Sequence, residues 1–183
     1  TNNTLFAVAS STASATTTLF SIANTGTQNV NLDSSTSTLV SMDGRTFMTV
    51  SPTTFNTSIG LDALAINSSS RNTVIGYQSF MAGTNNGGNV GIGYQVGKTL
   101  QYGGGNILIG EQVIPTGTNA SGNIGMGFQT LFSITAGASY NTAIGYQAVN
   151  KVSVNSYNTG IGYTALFNAT GGYNTGIGYQ AGS

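Results

Sequence analysis

Short runs in which apolar and small polar residues alternate mark the first 55 residues of the chain. Alternation with a period of two predicts β-strands with one buried face, because successive side chains of a strand point to opposite sides. Asp43-Gly44 stands between the last two runs and predicts a hairpin turn. We therefore expect residues 1–55 to form a β-rich N-terminal assembly segment. The runs are Thr4–Val8, Thr18–Ile22, Thr38–Met42 and Thr46–Val50.

From residue 56 onward the chain repeats one motif, an Asn followed four residues later by a Gly. Successive copies begin 16 to 18 residues apart. A short fixed period is typical of solenoids, in which each turn buries its core only against its neighbours. Residues 56–183 are thus predicted to form an all-β parallel β-solenoid (β-roll) of about eight rungs, each with two short strands. The copies begin at Asn56, Asn72, Asn89, Asn106, Asn123, Asn141, Asn158 and Asn174.

Two positions of the repeat carry β-branched or other apolar side chains. Counting each Asn as position zero, position one is always β-branched and position three is Ile or Met. Both positions lie on the same side of a strand and favour extended backbone, so we expect them to fill the interior. Position one is held by Thr57, Thr73, Val90, Ile107, Ile124, Thr142, Thr159 and Thr175. Position three is held by Ile59, Ile75, Ile92, Ile109, Met126, Ile144, Ile161 and Ile177.

Position two points to the opposite side and is mostly small. We expect it on the outside, where it forms either an exposed face without a role or a contact seam between neighbouring chains. Small residues suit a seam because they permit close approach of another backbone. Position two is held by Ser58, Val74, Gly91, Leu108, Gly125, Ala143, Gly160 and Gly176.

Positions four to six of the repeat are also regular in residue type. Position four is Gly in all eight copies, which predicts a bulge, a bend or a positive φ angle there. An aromatic residue follows in six copies, with Leu61 and Glu111 as exceptions, and Gln follows in six copies at position six. Stacked at one rung spacing, aromatic rings and Gln or Asn amides form ladders that support each other along the axis.

The low charge content limits the classes of molecule that the chain is expected to bind. Only 4% of residues are charged and the net charge is zero, whereas globular domains carry roughly 25% charged residues. A neutral chain has no basic surface for nucleic acid or for an anionic membrane. No run of 18 apolar residues occurs, so we expect neither nucleic-acid binding nor membrane insertion.

Residue types that carry chemistry are scarce. The chain has no His and no Cys, which removes the commonest general base and the thiolate ligands. Its carboxylates are dispersed, and the triple glycine at 103–105 lacks the Lys and Ser/Thr of a phosphate loop. We therefore predict no enzyme activity and no catalytic, cofactor-binding or metal-binding residues. The acidic residues are Asp33, Asp43, Asp62 and Glu111.

The motif Asn141-Thr-Ala-Ile-Gly-Tyr-Gln-Ala148 resembles repeats in tail-fibre proteins of phages and large viruses. It is also similar to the shorter Ala-Ile-Gly repeats in the heads of trimeric autotransporter adhesins, although the rungs here are longer. Those heads are left-handed parallel β-rolls assembled as homotrimers. The resemblance covers residues 56–183 and implies a trimeric fibre segment.

These observations favour a structural protein that forms an extracellular fibre or filament, on a cell surface or a virion, by homo-oligomeric stacking. The partner is expected to be the chain itself, as a homotrimer or as an end-to-end polymer. In the polymer, strands around Phe6 and Phe20 cover the final repeat of the next subunit. The alternative is a module that binds a cell-surface glycan or receptor through its Tyr, Asn and Gln rows. Burial of Tyr77, Tyr146 and Tyr163 would remove the main support for that alternative.

Overall fold

The computed structural model describes residues 9–10, 17–18, 38–42, 45–51, 53–66, 69–84, 87–116, 118–134, 137–151 and 156–183. These residues contain twelve strands and no helix, and hence no helix able to span a membrane. The first four strands are β1 Ala9–Ser10, β2 Thr17–Thr18, β3 Thr38–Met42 and β4 Arg45–Ser51. The repeats contribute β5 Asn56–Ile59, β6 Thr73–Ile75, β7 Val90–Tyr94, β8 Ile107–Glu111, β9 Ile124–Phe128, β10 Thr142–Ile144, β11 Thr159–Ile161 and β12 Thr175–Ile177.

Strands β5 to β12 pair in chain order and in parallel, one strand from each repeat. Equivalent repeat positions face each other across the pairs, as in Thr142↔Thr159 and Ile144↔Ile161. The predicted all-β parallel solenoid is therefore confirmed.

The expectation of two strands in every rung was wrong. Each repeat contributes one strand to the described sheet, and the residues after it form a turn with left-handed backbone. Gln95 and Gln112 have φ angles of 53° and 52° in this turn. A left-handed residue reverses the chain direction too sharply for an extended strand to continue. Backbone hydrogen bonds still join the rungs there, as in the 2.9 Å bond that the Gln112 N–H donates to the Tyr94 carbonyl.

An antiparallel hairpin covers the first edge of the parallel sheet. β3 pairs with β4, and β4 pairs antiparallel with β5 through Met48↔Ile59 and Ser51↔Asn56. The strands expected at 38–42 and 46–50 are thus confirmed, while their turn at 43–44 lies outside the described residues. The sheet continues across the predicted boundary between residues 55 and 56.

Little of the earlier N-terminal segment is described. The predicted strand at 4–8 lies outside the described residues, and the one at 18–22 does so apart from Thr18. Thr18 belongs to β2, which pairs antiparallel with β1 through Ala9↔Thr18.

Position two, not positions one and three, lines the interior of the solenoid. The side chains of Val74, Leu108 and Ala143 are completely buried. By contrast Ile75 is 39% exposed and Ile92 is 36% exposed. The expected facing was therefore wrong, and with it both interpretations of position two as an outer surface.

The physical reason lies in the turn that follows each strand. Its residues at positions seven and eight project into the interior, where Phe80, Val96 and Leu131 are fully buried. A Cβ atom on Gly91 would overlap the Phe80 ring. The turn side chains supply the bulk of the core, so the strand opposite them must present small residues.

Candidate functional surface

A buried ladder of asparagines runs through the solenoid. In each of seven steps, the backbone N–H of one Asn donates to the Oδ1 of the Asn in the preceding rung over 2.8–3.0 Å. The Nδ2 group donates to the same oxygen over 3.0–3.2 Å. Six residues of the ladder are at most 1% exposed, namely Asn72, Asn89, Asn106, Asn123, Asn141 and Asn158. These bonds satisfy polar groups that would otherwise be costly to bury, so the ladder is structural.

The repeated Gly at position four is required by backbone geometry. All eight have φ between +124° and +137°, a region that L-residues rarely adopt. From Gly60 to Gly162, an added Cβ would overlap the backbone of the equivalent Gly in the next rung. The predicted positive φ is confirmed, and the Gly row fixes the close approach of neighbouring rungs.

The Gln row ends at an ion pair in the first rung. Gln95 donates to Gln78 over 3.0 Å, and Gln147 donates to Gln129 over 2.9 Å. Asp62 replaces Gln at position six of the first rung, and there it accepts hydrogen bonds from Arg45 of β4, including one of 3.0 Å from Nε to Oδ1. These hydrogen bonds hold the pKa of Asp62 below its usual value, against a smaller opposing effect of desolvation. The ion pair therefore ties the capping hairpin to the first rung.

Tyrosines form two rows along the axis. The leading row, just before the Asn, is Tyr140, Tyr157 and Tyr173, whose ring centroids are 5.2 and 4.9 Å apart. The trailing row, at position five, is Tyr146, Tyr163 and Tyr179, with spacings of 5.1 and 5.3 Å. The rings are nearly parallel, with interplanar angles of 7–14°. Each ring within a row thus covers the face of its neighbour.

Tyr77, Tyr146 and Tyr163 are 39%, 43% and 46% exposed, so they are not buried. The partly exposed tyrosines therefore still give some support to glycan binding. Inside the stack, the neighbouring rings leave chiefly ring edges open to solvent, whereas sugar rings pack on aromatic faces.

Positions one and three form an uncharged surface of Ile, Val, Thr and Met along the outside of the sheet, which we call the outer stripe. No charged residue stands at either position in any rung. Ile75, Ile107 and Met126 are 39%, 41% and 38% exposed, although they lie inside the stack. With rungs ~4.8 Å apart and the two positions ~7 Å apart, the stripe is roughly 34 Å long and 10 Å wide.

Sequence reasoning placed the outer stripe in the core. The signal that identifies it correctly is size complementarity. The largest fully buried turn side chain is Phe80, and a Cβ atom added to Gly91 or Gly97 would lie 2.4 or 3.0 Å from its ring. A small residue opposite a large one marks an interior position, so alternate positions must face outward.

The charged residues do not assemble into a chemical site. Asp62 pairs with Arg45, while Glu111 stands at position five between Tyr94 and Phe128 of the adjacent rungs. Within the described part of the chain there is no group of three or more acidic or metal-ligating side chains. Asp33 and Asp43 lie outside the described residues. That the chain lacks catalytic, cofactor and metal residues stays a prediction.

Comparisons of the chain with protein-family models, with curated proteins and with solved structures found no match. The resemblance to tail-fibre and adhesin-head repeats therefore stays a prediction.

Proposed function

We propose that this chain is a structural segment of an extracellular fibre, assembled from copies of itself through the outer stripe. The observation that carries the proposal is the facing of positions one and three. A surface of Ile, Val, Thr and Met without any charge extends over all eight rungs. Largely apolar patches of a few hundred Å² are often functional surfaces, and larger ones mark interaction sites.

The partner that fits best is a second copy of the chain. The stripe presents the same side chains once per rung, at ~4.8 Å intervals, and only a surface with that same period can interlock along its whole length. A copy of the solenoid has this period by construction. Its neutral surface also avoids burying an unpaired charge at the seam.

The size of the stripe indicates how association is reached. Its area is roughly 340 Å² from the rung and strand spacings, compared with about 800 Å² per partner in a stable interface. A homotrimer in which three stripes converge on one axis lets each chain contact two others. Each further rung adds the same increment of area, so the interaction strengthens with the length of the fibre.

The ladders suit a mechanical role. The Asn and Gly rows join every rung to the next by hydrogen bonds or close backbone contact, and the Gln row adds further hydrogen bonds between some rungs. This repetition gives a rod that is stiff along its axis and tolerates variation in the outer turns.

The test is the mass of the purified chain in solution, with imaging of the particles by negative-stain electron microscopy. We expect the chain to form trimers or longer rods. The double variant Ile75→Lys, Ile92→Lys is expected to be monomeric with an unchanged circular dichroism spectrum. The matched control is Tyr102→Lys, which alters an exposed aromatic (46%) outside the stripe and is expected to assemble normally. A wild-type chain that stays monomeric, or a double variant that still assembles, would contradict the proposal.

End-to-end polymerisation is a second form of the same assembly. It places the strands around Phe6 and Phe20 on another subunit, and these residues lie outside the described part of the chain. Deletion of residues 1–24 is expected to abolish filaments and leave the solenoid folded. Filaments that persist after the deletion would rule this form out.

Glycan or receptor binding is the second candidate function, supported by the partial exposure of both tyrosine rows and the adjacent Gln row. Because the ring faces inside the stack are covered, the contacts there would come from hydroxyls and ring edges. Binding of the chain to a glycan array, lost in Tyr146→Phe, would support it. An array without any bound glycan would remove the glycan form of this candidate.

A further inference from the structure

The two tyrosine rows place phenol rings one above another without an intervening residue. Tyr140 and Tyr157 have ring centroids 5.2 Å apart, and Tyr146 and Tyr163 have centroids 5.1 Å apart. All four side chains lie within the stack, at 43–57% exposure. An oxidant in solvent therefore has access to each ring.

We propose that the leading and trailing rows are sites of oxidative cross-linking, at which neighbouring rungs are joined by dityrosine bonds. The co-reactant is hydrogen peroxide used by a one-electron oxidant such as a haem peroxidase. Each of two phenols loses one electron and one proton, and the two radicals form a bond between their ortho carbons. Transfer of the ortho hydrogens to the oxygens restores both phenols. The peroxide accepts two electrons and two protons and leaves as two water molecules.

The geometry favours coupling within one chain. The Cα atoms of equivalent residues in adjacent rungs are ~4.8 Å apart, so rotation about the side-chain bonds brings two ortho carbons together without moving the backbone. The rungs are already in register, as the pairing Thr142↔Thr159 beside both rows shows. Radical formation on one ring therefore finds its partner before a second chain diffuses to it.

The chain contains its own controls. Tyr102 is 46% exposed, like the tyrosines of the rows, but its parallel bridge partner in the next rung is Asn119. Phe128 stacks under Tyr146 at 5.2 Å but has no phenol oxygen to lose a proton. Coupling should therefore follow stacking between two phenols, and exposure alone should not suffice.

The consequence is a covalent link between rungs that are otherwise joined by hydrogen bonds and stacking. A chain linked at two or three steps cannot separate those rungs on unfolding, which removes entropy from the unfolded state. This inference concerns single chains, so it does not depend on assembly through the outer stripe.

The experiment treats the full chain with peroxidase and hydrogen peroxide at two widely separated protein concentrations, and analyses tryptic peptides by mass spectrometry. Cleavage after Lys151 separates Tyr140 and Tyr146 from Tyr157 and Tyr163. We expect peptides 99–151 and 152–183 to be joined with the loss of two hydrogen atoms, in a yield independent of concentration. Fragmentation is expected to place the bonds at 140–157 and 146–163 and not at Tyr102.

Tyr→Phe variants, which keep the aromatic ring and remove the phenol oxygen, test which tyrosines are cross-linked. Tyr157→Phe is expected to abolish the bond to residue 140 and retain the bond at 146–163, and Tyr163→Phe is expected to do the reverse. Tyr102→Phe is the matched control and is expected to leave both bonds unchanged. Oxidation that joins Tyr102 as often as the stacked residues, a yield that rises with concentration, or the absence of joined peptides would overturn the inference.

Discussion

Removing one amide from the middle of the Asn ladder should destabilise the solenoid by several kcal/mol. The side chain of Asn106 donates to Asn89 over 3.0 Å and to the Ala120 carbonyl over 2.8 Å. It accepts the backbone N–H of Asn123 over 2.9 Å and its Nδ2 group over 3.2 Å. Asn106→Ala removes these four bonds in a fully buried site. At about 1 kcal/mol per bond, the expected loss of unfolding free energy is ~4 kcal/mol.

Equilibrium unfolding in urea, followed by circular dichroism, measures the loss. Asn174→Ala is the matched control, because Asn174 is half-buried in the last described rung and its side chain donates to Asn158 and the Gly171 carbonyl. Water replaces its lost bonds more readily, so we expect about 1 kcal/mol. Equal effects of the two substitutions, or a loss below about 1 kcal/mol for Asn106→Ala, would refute the view that the buried ladder stabilises the stack.

Two further predictions concern the backbone of the rungs and the capping ion pair. Gly110→Ala places a Cβ against the Gly127 carbonyl at φ +137°, so we expect the unfolding free energy to fall by about 3 kcal/mol or more. In the control Gly105→Ala, at φ +71°, the added Cβ meets no atom within 4 Å, and the unfolding free energy should fall by only about 1 kcal/mol. Similar losses for the two variants in urea unfolding would contradict this. The ion pair lowers the pKa of Asp62, so its stabilisation is complete above about pH 4 and is lost as the pH falls through the lower folded value. Protection of the β4 amides against exchange, corrected for the intrinsic pH dependence of exchange, should fall over that range. Asp62→Asn should remove this pH-dependent fall while Glu111→Gln retains it; an unchanged pH profile in Asp62→Asn would show that the pair does not hold the hairpin.

The repeat itself was predictable from the sequence because its invariant residues have local causes. Asn at position zero and Gly at position four recur in all eight copies. Only Gly tolerates the required φ at no steric cost, and a buried amide ladder needs a side chain with both a donor and an acceptor. The period, the parallel stacking and the β3–β4 hairpin followed from these residues and from the alternation of their neighbours.

The facing of the strand was not predictable from alternation alone. A period of two separates the two faces of a strand without identifying which one is buried. The general preference of β-branched residues for cores pointed to Ile92 and Ile109, but the interior was already occupied by turn residues such as Phe80. The extent of that occupation depends on left-handed residues in the turn, among them Gln78 at φ 52°. Propensity gives no indication of such a conformation for Gln.

Because position two faces the interior, its small residues cannot form the contact seam between neighbouring chains. They were candidates for that seam only as long as they were expected on the outside of the solenoid. Gly125 and Gly160 instead face the core, where an added Cβ atom would lie 2.5 Å from Val113 and Val149, respectively. The seam is therefore assigned to the apolar outer stripe.

The most direct test of assembly through the outer stripe is thiol accessibility, for which a chain without Cys provides a clean background. Single cysteines are placed by Ile92→Cys on the stripe, Leu108→Cys in the core and Tyr102→Cys outside both. We expect Ile92→Cys to react with a maleimide in the dilute monomer and to be protected in the assembled fibre, with Leu108→Cys protected and Tyr102→Cys reactive in both states. Equal reactivity of Ile92→Cys in monomer and assembly would contradict the proposed seam, and protection in the monomer would contradict the facing itself.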